Sequence, residues 1–354
     1  MSTVIMEPEQ QPRFGALRAE PPPATLARLT GAAAGTTWTA ERLGGDLGYP
    51  NGGMWRVAAD RHGEGPASVI VKRTGPMHLG TFPVWRLRAD PADPQWWGKE
   101  AAFYASDLAR TGWTEQVRTP RVEIDDHDGR RDLWLEELTG IPGSLDVCRR
   151  AAAGLAAWQV ANADHDHPWL SGGWIVKHVE RQDLDNARTL AHPGWPSALE
   201  RGLAPELRDL VAARVTDPVE AACRLAGFPS LLANHDFHNG NVGVAGNGAV
   251  AVIDWAYVGP GPVGHDAGHL ALTFEPEGSV EPAEAWQVLT TAYTEALINS
   301  GWPGDPEQLR RSMIVSNQLR LGWWIDALLE VADRLSPEDL AAKSRLLIFL
   351  AELR

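Results

Sequence analysis

The sequence predicts an α+β chain of two lobes, a small β-rich one followed by a larger helical one. Three observations predict it. Alternating and β-branched apolar runs crowd the first third of the chain. Past residue 140, apolar residues recur at helical spacing. One pair of short strands with polar turns, at 231–255, interrupts that helical half. Residues 1–20, rich in acids and prolines, read as a disordered tail; 21–138 form the first lobe and 139–354 the second.

Taken in order, a short helix at 24–29 opens the first lobe. Three strands follow: TAERLGG, which runs into Gly44, Gly45, Gly48, Gly52 and Gly53; MWRVAAD, with alternate apolar residues; and SVIVKRT. A helix at about 98–110 places Ala101, Tyr104, Ala105 and Leu108 on one face. VRTPRVEI and DLWLEEL are two more strands around the polar turn DDHDGRR. In the second lobe CRRAAAGLAAWQVA and DPVEAACRLAG are helices, the latter with Asp217 as N-cap and Pro218 at its first position. The Trp- and His-rich stretch at 164–192 fits neither period. Helices at 282–299, 306–331 and 337–353 close the chain.

Composition narrows the function. No run of eighteen apolar residues occurs, so no membrane span is expected, and the N-terminus lacks the basic start and apolar stretch of a signal peptide. The cytoplasm is therefore the expected location, with Cys148 and Cys223 as separate buried thiols. A net charge of −14 argues against a nucleic-acid binder. Residues 139–354 hold 27 acidic and 16 basic side chains, which suits a cationic substrate or simply a soluble surface.

The chemistry concentrates in LLANHDFHNGNVGVAGNGAVAVIDWA. Asp236 sits just past one apolar strand, Asn241 follows five residues later, and Asp254 ends the next apolar run. Two carboxylates and a carboxamide at strand ends suit Mg²⁺, which takes one or two carboxylates together with substrate phosphates and water. Asp236 is then placed to accept the proton of an attacking hydroxyl.

This stretch resembles the core signature of the aminoglycoside phosphotransferase family, whose members share the protein-kinase-like fold. That family writes H-G-D-x-x-x-x-N followed by I-D-W. The resemblance implies Asp236 as catalytic residue, Asn241 and Asp254 as metal ligands, and Asp266 as an anchor of the loop through backbone hydrogen bonds. His238 and Gly240 also fit the pattern, whereas Asn234 stands where the family has His and His235 where it has Gly. His235 and His238 become candidates for substrate contact. A rival reading takes His265 and His269, four apart around Asp266, as a zinc pair, although the acid is Asp and Gly268 weakens the helix.

If the hairpin transfers phosphoryl groups, the first lobe binds ATP. Gly52 and Gly53 allow backbone close to phosphates, though GGDLGYPNGG matches no standard phosphate loop and reads equally as a surface turn. Lys72 stands out, because the chain has four lysines against 28 arginines. Its ammonium suits nucleotide phosphates, with Glu100 as its holding acid; the plainer alternatives are a solvated strand residue and a first-turn acid. LWLEELTG resembles the hinge between lobes, where the backbone of Glu136 and Leu138 would meet adenine.

For the acceptor, the resemblance points to acids on the penultimate helix, Asp326, Glu330 and Asp333, beside Trp323 and Trp324; an exposed helix face explains them as well. Three functions stay open: a small-molecule kinase acting on an antibiotic, sugar or metabolite hydroxyl; a kinase of Ser or Thr in a precursor peptide, working with a partner lyase; and a binding module of the pseudokinase kind, whose hallmark would be loss of Lys72, Asp236, Asn241 or Asp254.

Overall fold

A computed structural model of the chain describes residues 4–6, 23–33, 36–43, 53–59, 68–76, 87–127, 129–140, 144–182, 189–213, 218–274 and 280–353. It is the mixed α+β architecture expected, with a sheet-rich first part and a helical second part. The first sheet has six strands in the order β1-β2-β3-β4-β7-β6. These are β1 (Val4–Met6), β2 (Trp38–Leu43), β3 (Met54–Ala59), β4 (Ser68–Thr74), β6 (Val122–His127) and β7 (Arg130–Glu136). The strand at Val4–Met6 lies inside the expected disordered tail. Val and Ile favour extended backbone, and these three residues add in parallel to the open edge at Trp38–Ala40.

Alternation along β4 decides what its side chains meet. Val69 and Val71 are fully buried and pack with Leu26 and Leu29 of helix α1 (Pro23–Thr30) and with Trp38, Trp55 and Trp134. Ile70 and Lys72 point to the opposite face, where helix α2 (Lys99–Ala105) lies. That helix stops earlier than its apolar face predicts. Ser106 is extended, its Oγ donates 2.7 Å to the carbonyl of Phe103, and a short turn at Asp107–Ala109 follows.

VRTPRVEI divides into two strands. Pro120 cannot donate to a ladder, and the segment before it, β5 (Val117–Arg118), pairs in parallel with Val250 and Ala251 of the second lobe. It thereby joins the three-stranded sheet β5-β10-β9, with β9 (Val242–Val244) and β10 (Val250–Val252). The remaining two-stranded sheet pairs β8 (Ser230–Ala233) with β11 (Gly259–Pro262), so the central stretch is three short strands rather than two.

The helical part is built on α3 (Leu145–Ala161), capped by Ser144, whose Oγ accepts from the Val147 N–H at 3.3 Å. The unassigned stretch contains α4 (Trp174–Gln182); α5 (Trp195–Glu200), α6 (Glu206–Ala213) and α7 (Pro218–Leu225) follow. After the catalytic stretch come α8 (His265–Thr273), α9 (Pro282–Asn299), α10 (Pro306–Val331) and α11 (Pro337–Glu352). Cys148 is buried, but Cys223 is exposed: on α7, Ala222 and Leu225 turn inward and the thiol between them faces out. Trp38, Trp55, Trp134, Trp158, Trp195 and Trp255 are almost fully buried, so these rings are core and not the lining of a peptide groove. Among the described residues no helix is long and apolar enough to cross a membrane.

Candidate active site

The loop after β8 is fixed from below by a buried carboxylate. Asp266, in the first turn of α8, accepts the Asn234 N–H at 2.8 Å and the His235 N–H at 2.9 Å. Gln159 donates to the same carboxylate at 3.2 Å and is itself held by the Tyr293 hydroxyl. Burial raises the Asp266 pKa to about 6, with the two N–H bonds pulling the other way. Asn234 then links the two candidate carboxylate residues. Its Nδ2 donates 3.0 Å to the carbonyl of Asp254, and its Oδ1 accepts the Asp236 N–H at 3.0 Å. A neutral histidine, as in the family pattern, also carries one donor and one acceptor, but on ring atoms with a different reach from the backbone.

Two residues beside the site have left-handed backbone, His235 at φ +68° and Asp254 at φ +58°. For a residue with a Cβ this conformation costs roughly 1–2 kcal/mol. The family pattern has glycine at the first position, where the cost is absent. Here the His235 ring is only 1% exposed and stacks on Trp174 at 4.9 Å and 18°. It is therefore interior packing, in contrast to the substrate-facing role expected for it. Gly261 makes room, since a Cβ there would lie 2.5 Å from the His235 ring.

The remaining site residues converge between the lobes. Lys72 Nζ lies 2.7 Å from Glu100 Oε2 and 2.9 Å from Asp254 Oδ1, so a strand, a helix and the central hairpin meet at one ammonium. Phe103 on α2 stacks on Trp255 at 4.2 Å, next to Asp254, and this contact fixes the helix that carries Glu100. Burial alone would lower the Lys72 pKa, but Asp254 and Glu100 outweigh it and the shift is upward. Burial raises Glu100 to about 7 against the pull of Lys72. For Asp254 burial is outweighed by Lys72, and its pKa falls below the usual range. Asp236, half-buried, is shifted upward by its partial removal from water. Asn241 donates its Nδ2 to the Asp236 carbonyl at 2.9 Å, which leaves Oδ1 as its cation-binding atom. His238 has Nε2 4.0 Å from Asp236 Oδ2, while its Nδ1 accepts the Gly240 N–H at 3.1 Å.

Other expected residues lie further out. Gly52 is outside the described residues. Gly53 has φ +121°, its carbonyl accepts from the Arg73 N–H at 3.0 Å, and a Cβ would strike the Trp55 ring at 2.6 Å. Glu136 closes β7; its carboxylate is held by Arg118 and Arg121, which keep its pKa low despite burial. Its N–H is committed to the Arg121 carbonyl, and Thr139, just past Leu138, exchanges two backbone bonds of 2.8 Å with Val244. Of the helix acids, Asp326 is half-buried, whereas Glu330 is exposed and pairs with His192 at 3.2 Å. Asp333 is exposed beside Arg334. The zinc reading meets a direct obstacle: Arg320 Nη2 lies 2.9 Å from His265 Nε2, putting a cation where a metal would bind. Sequence reasoning missed Arg320 and Trp174 altogether, because a buried Arg on a long helix looks like any surface Arg.

The chain matches the Phosphotransferase enzyme family over residues 83–297. Among solved structures it is similar to an aminoglycoside phosphotransferase from Alicyclobacillus acidocaldarius, with a TM-score of 0.52, 11% identity and 95% of each chain covered. It is also similar to an amicoumacin kinase in complex with AMP-PNP, Ca²⁺ and Ami, with a TM-score of 0.50, 14% identity and 88% of each chain covered. No curated protein matches the chain in sequence. The family match covers more than half of the chain, and the sheet-rich and helical lobes meet at the cluster just described. The chain therefore belongs to the phosphotransferase enzyme family and is a phosphotransferase of the protein-kinase-like fold, with an alcohol group as acceptor.

Proposed function

We propose that the chain moves the γ-phosphoryl group of ATP to a hydroxyl of a small molecule. The observation that carries this is the single ammonium of Lys72 shared by Glu100 and Asp254, which assembles residues of both lobes at one point. Asp236, shifted upward by burial, accepts the hydroxyl proton as the new P–O bond forms and the bond to the ADP oxygen breaks. Asn241 Oδ1 and the Asp254 carboxylate are the hard oxygen donors that fit Mg²⁺. Bound there, the ion would neutralise charge on the phosphate oxygens. Lys72 orients those oxygens. Adenine would meet the carbonyl of Glu136 and the backbone of Leu138, since the Glu136 N–H is already bonded. Reduced thiols and ATP supply make the cytoplasm the fitting compartment.

A small molecule is favoured by a cavity of about 410 Å³ whose walls include Leu272, Trp324 and Leu328 beside the charged Asp339, Lys343 and Arg345, within the size range of small-ligand pockets. Rings lead from it to the loop: Trp324 is 6.5 Å from His269, which is 6.1 Å from His238. The residues whose loss would mark a mere binding module are all present, and Lys72 and Asp254 are in direct contact. Asp236→Asn should bind ATP normally by calorimetry yet lose about 10²–10⁴-fold in phosphoryl transfer. Normal turnover in that variant would reject the reading.

A further inference from the structure

Arg320 lies on α10, beyond the family match at 83–297, and is 8% exposed. Its guanidinium donates 3.0 Å to the carbonyl of His235 and 2.9 Å to His265 Nε2, and it lies over the Trp174 ring at 5.6 Å. Trp174 in turn stacks on His235. The carbonyl bond meets His235 directly, and the two other partners, Trp174 and His265, flank its ring at 4.9 and 5.2 Å; His235 is the residue that adopts φ +68° where the family pattern has glycine. The next residue is Asp236. Burial brings the guanidinium pKa down to about 10 while the charges of Asp236 and Asp266 oppose that shift. A cation is thus kept under the loop at a real desolvation cost, which calls for a gain at the same place.

We propose that Arg320 is a positioning residue of the transfer loop: it grips the His235 carbonyl and holds that residue in the left-handed conformation from which Asp236 enters the cluster. Asp266 secures the same residue through its N–H at 2.9 Å, so the peptide groups on both sides of the unfavourable φ are tied to buried side chains. A glycine would need no such grip, because it adopts this conformation without a Cβ clash. The arrangement substitutes a remote helix for a missing glycine. The inference rests on the reading of Asp236 given above.

The test places Arg320→Met in three full-length backgrounds: native, His235→Ala and His235→Gly. The Ala and Gly variants both lose the ring and its stack on Trp174, but only Gly removes the backbone penalty. Three quantities are read: ADP released from ATP and Mg²⁺ with water as acceptor, ATP affinity by calorimetry, and Tm. In the native and His235→Ala backgrounds Arg320→Met should slow turnover about tenfold, the factor that one or two kcal/mol of lost positioning produces. ATP affinity should change less than about twofold, because the nucleotide-binding residues are untouched. In His235→Gly the same substitution should slow turnover less than about threefold, and the Tm deficit should shrink in parallel. Equal losses in the Ala and Gly backgrounds would overturn the proposal. Should Arg320→Met fail to fold, Arg320→Lys replaces it, since the shorter lysine side chain cannot place a donor where Nη2 lies and gives up the planar group over Trp174. Should Asp236→Asn keep its turnover, the base assignment fails, while the Ala–Gly contrast in Tm still decides whether Arg320 holds His235.

Discussion

Replacing Lys72 by Met removes the one positive charge from a cluster of three, two of them buried. The Lys72 and Glu100 side chains are 9% and 2% exposed. Taking one partner from a pair at that depth costs about 3–5 kcal/mol, because the other charge is left without compensation. Glu100 has an escape, however. Its pKa already stands at about 7 with Lys72 beside it, and burial pushes it higher once the ammonium is gone. At pH 6 the Glu100 carboxyl is mostly protonated in native and variant alike, so Asp254 is the charge left without its partner; its side chain is 32% exposed, and the loss should fall at the low end, about 3 kcal/mol. Above pH 7 the folded variant keeps a proton that both the native protein and the unfolded chain release, so its stability falls relative to native as pH rises. The slope is up to about 1.4 kcal/mol per pH unit for this one proton. Urea unfolding followed by tryptophan fluorescence at pH 6, 7 and 8 measures this without any substrate. One molar salt should change the difference little, since a buried pair is poorly screened. A loss below about 1 kcal/mol, or one that shrinks with rising pH, would refute the reasoning.

Other sites give sharper single measurements. Asp266→Ala strands the N–H groups of Asn234 and His235, at about 1–3 kcal/mol each, offset in part by removing a carboxyl whose burial is itself unfavourable. Its Tm should drop, and turnover should fall more than ATP affinity; an unchanged Tm would show that the loop does not depend on this anchor. Gly154→Ala should destabilise, although Ala favours a helix interior by about 1 kcal/mol. A Cβ at 154 would sit 2.5 Å from the branched Val117 side chain, and overpacking of that kind costs about 1–3 kcal/mol. A higher Tm for that variant would mean the helix does not press on β5.

Much of this arrangement is legible in residue order. The strand carrying Lys72 reads as β-branched and buried, and the helix carrying Glu100 has an apolar face, so period alone sets the two elements against each other. Asp236, Asn241 and Asp254 announce themselves by polar type at the ends of apolar strands. The short strand at Val117–Arg118 is not legible, because two residues carry no period and the partner lies more than a hundred positions away. Arg320 escapes for a different reason. Its charged side chain breaks the apolar pattern of α10 only as a surface residue would, and its burial follows from His235 and Trp174, neither of which the helix itself encodes. Asn234 looks like a defect in the motif, yet its amide is what bonds Asp236 to Asp254.

The parallel pairing of Val117–Arg118 with Val250–Ala251 has a further consequence for how the chain comes apart. A cut at the nominal lobe boundary would leave Val250–Val252 with a bare apolar edge, the kind of edge that recruits strands from other molecules. The first lobe, for its part, would lose the partner of a strand that lies between its own helix and sheet. Neither fragment then keeps this three-stranded sheet whole. The sheet stays whole only when Val117–Arg118 and Val250–Val252 remain together, and Asp254, two residues past it, depends on both.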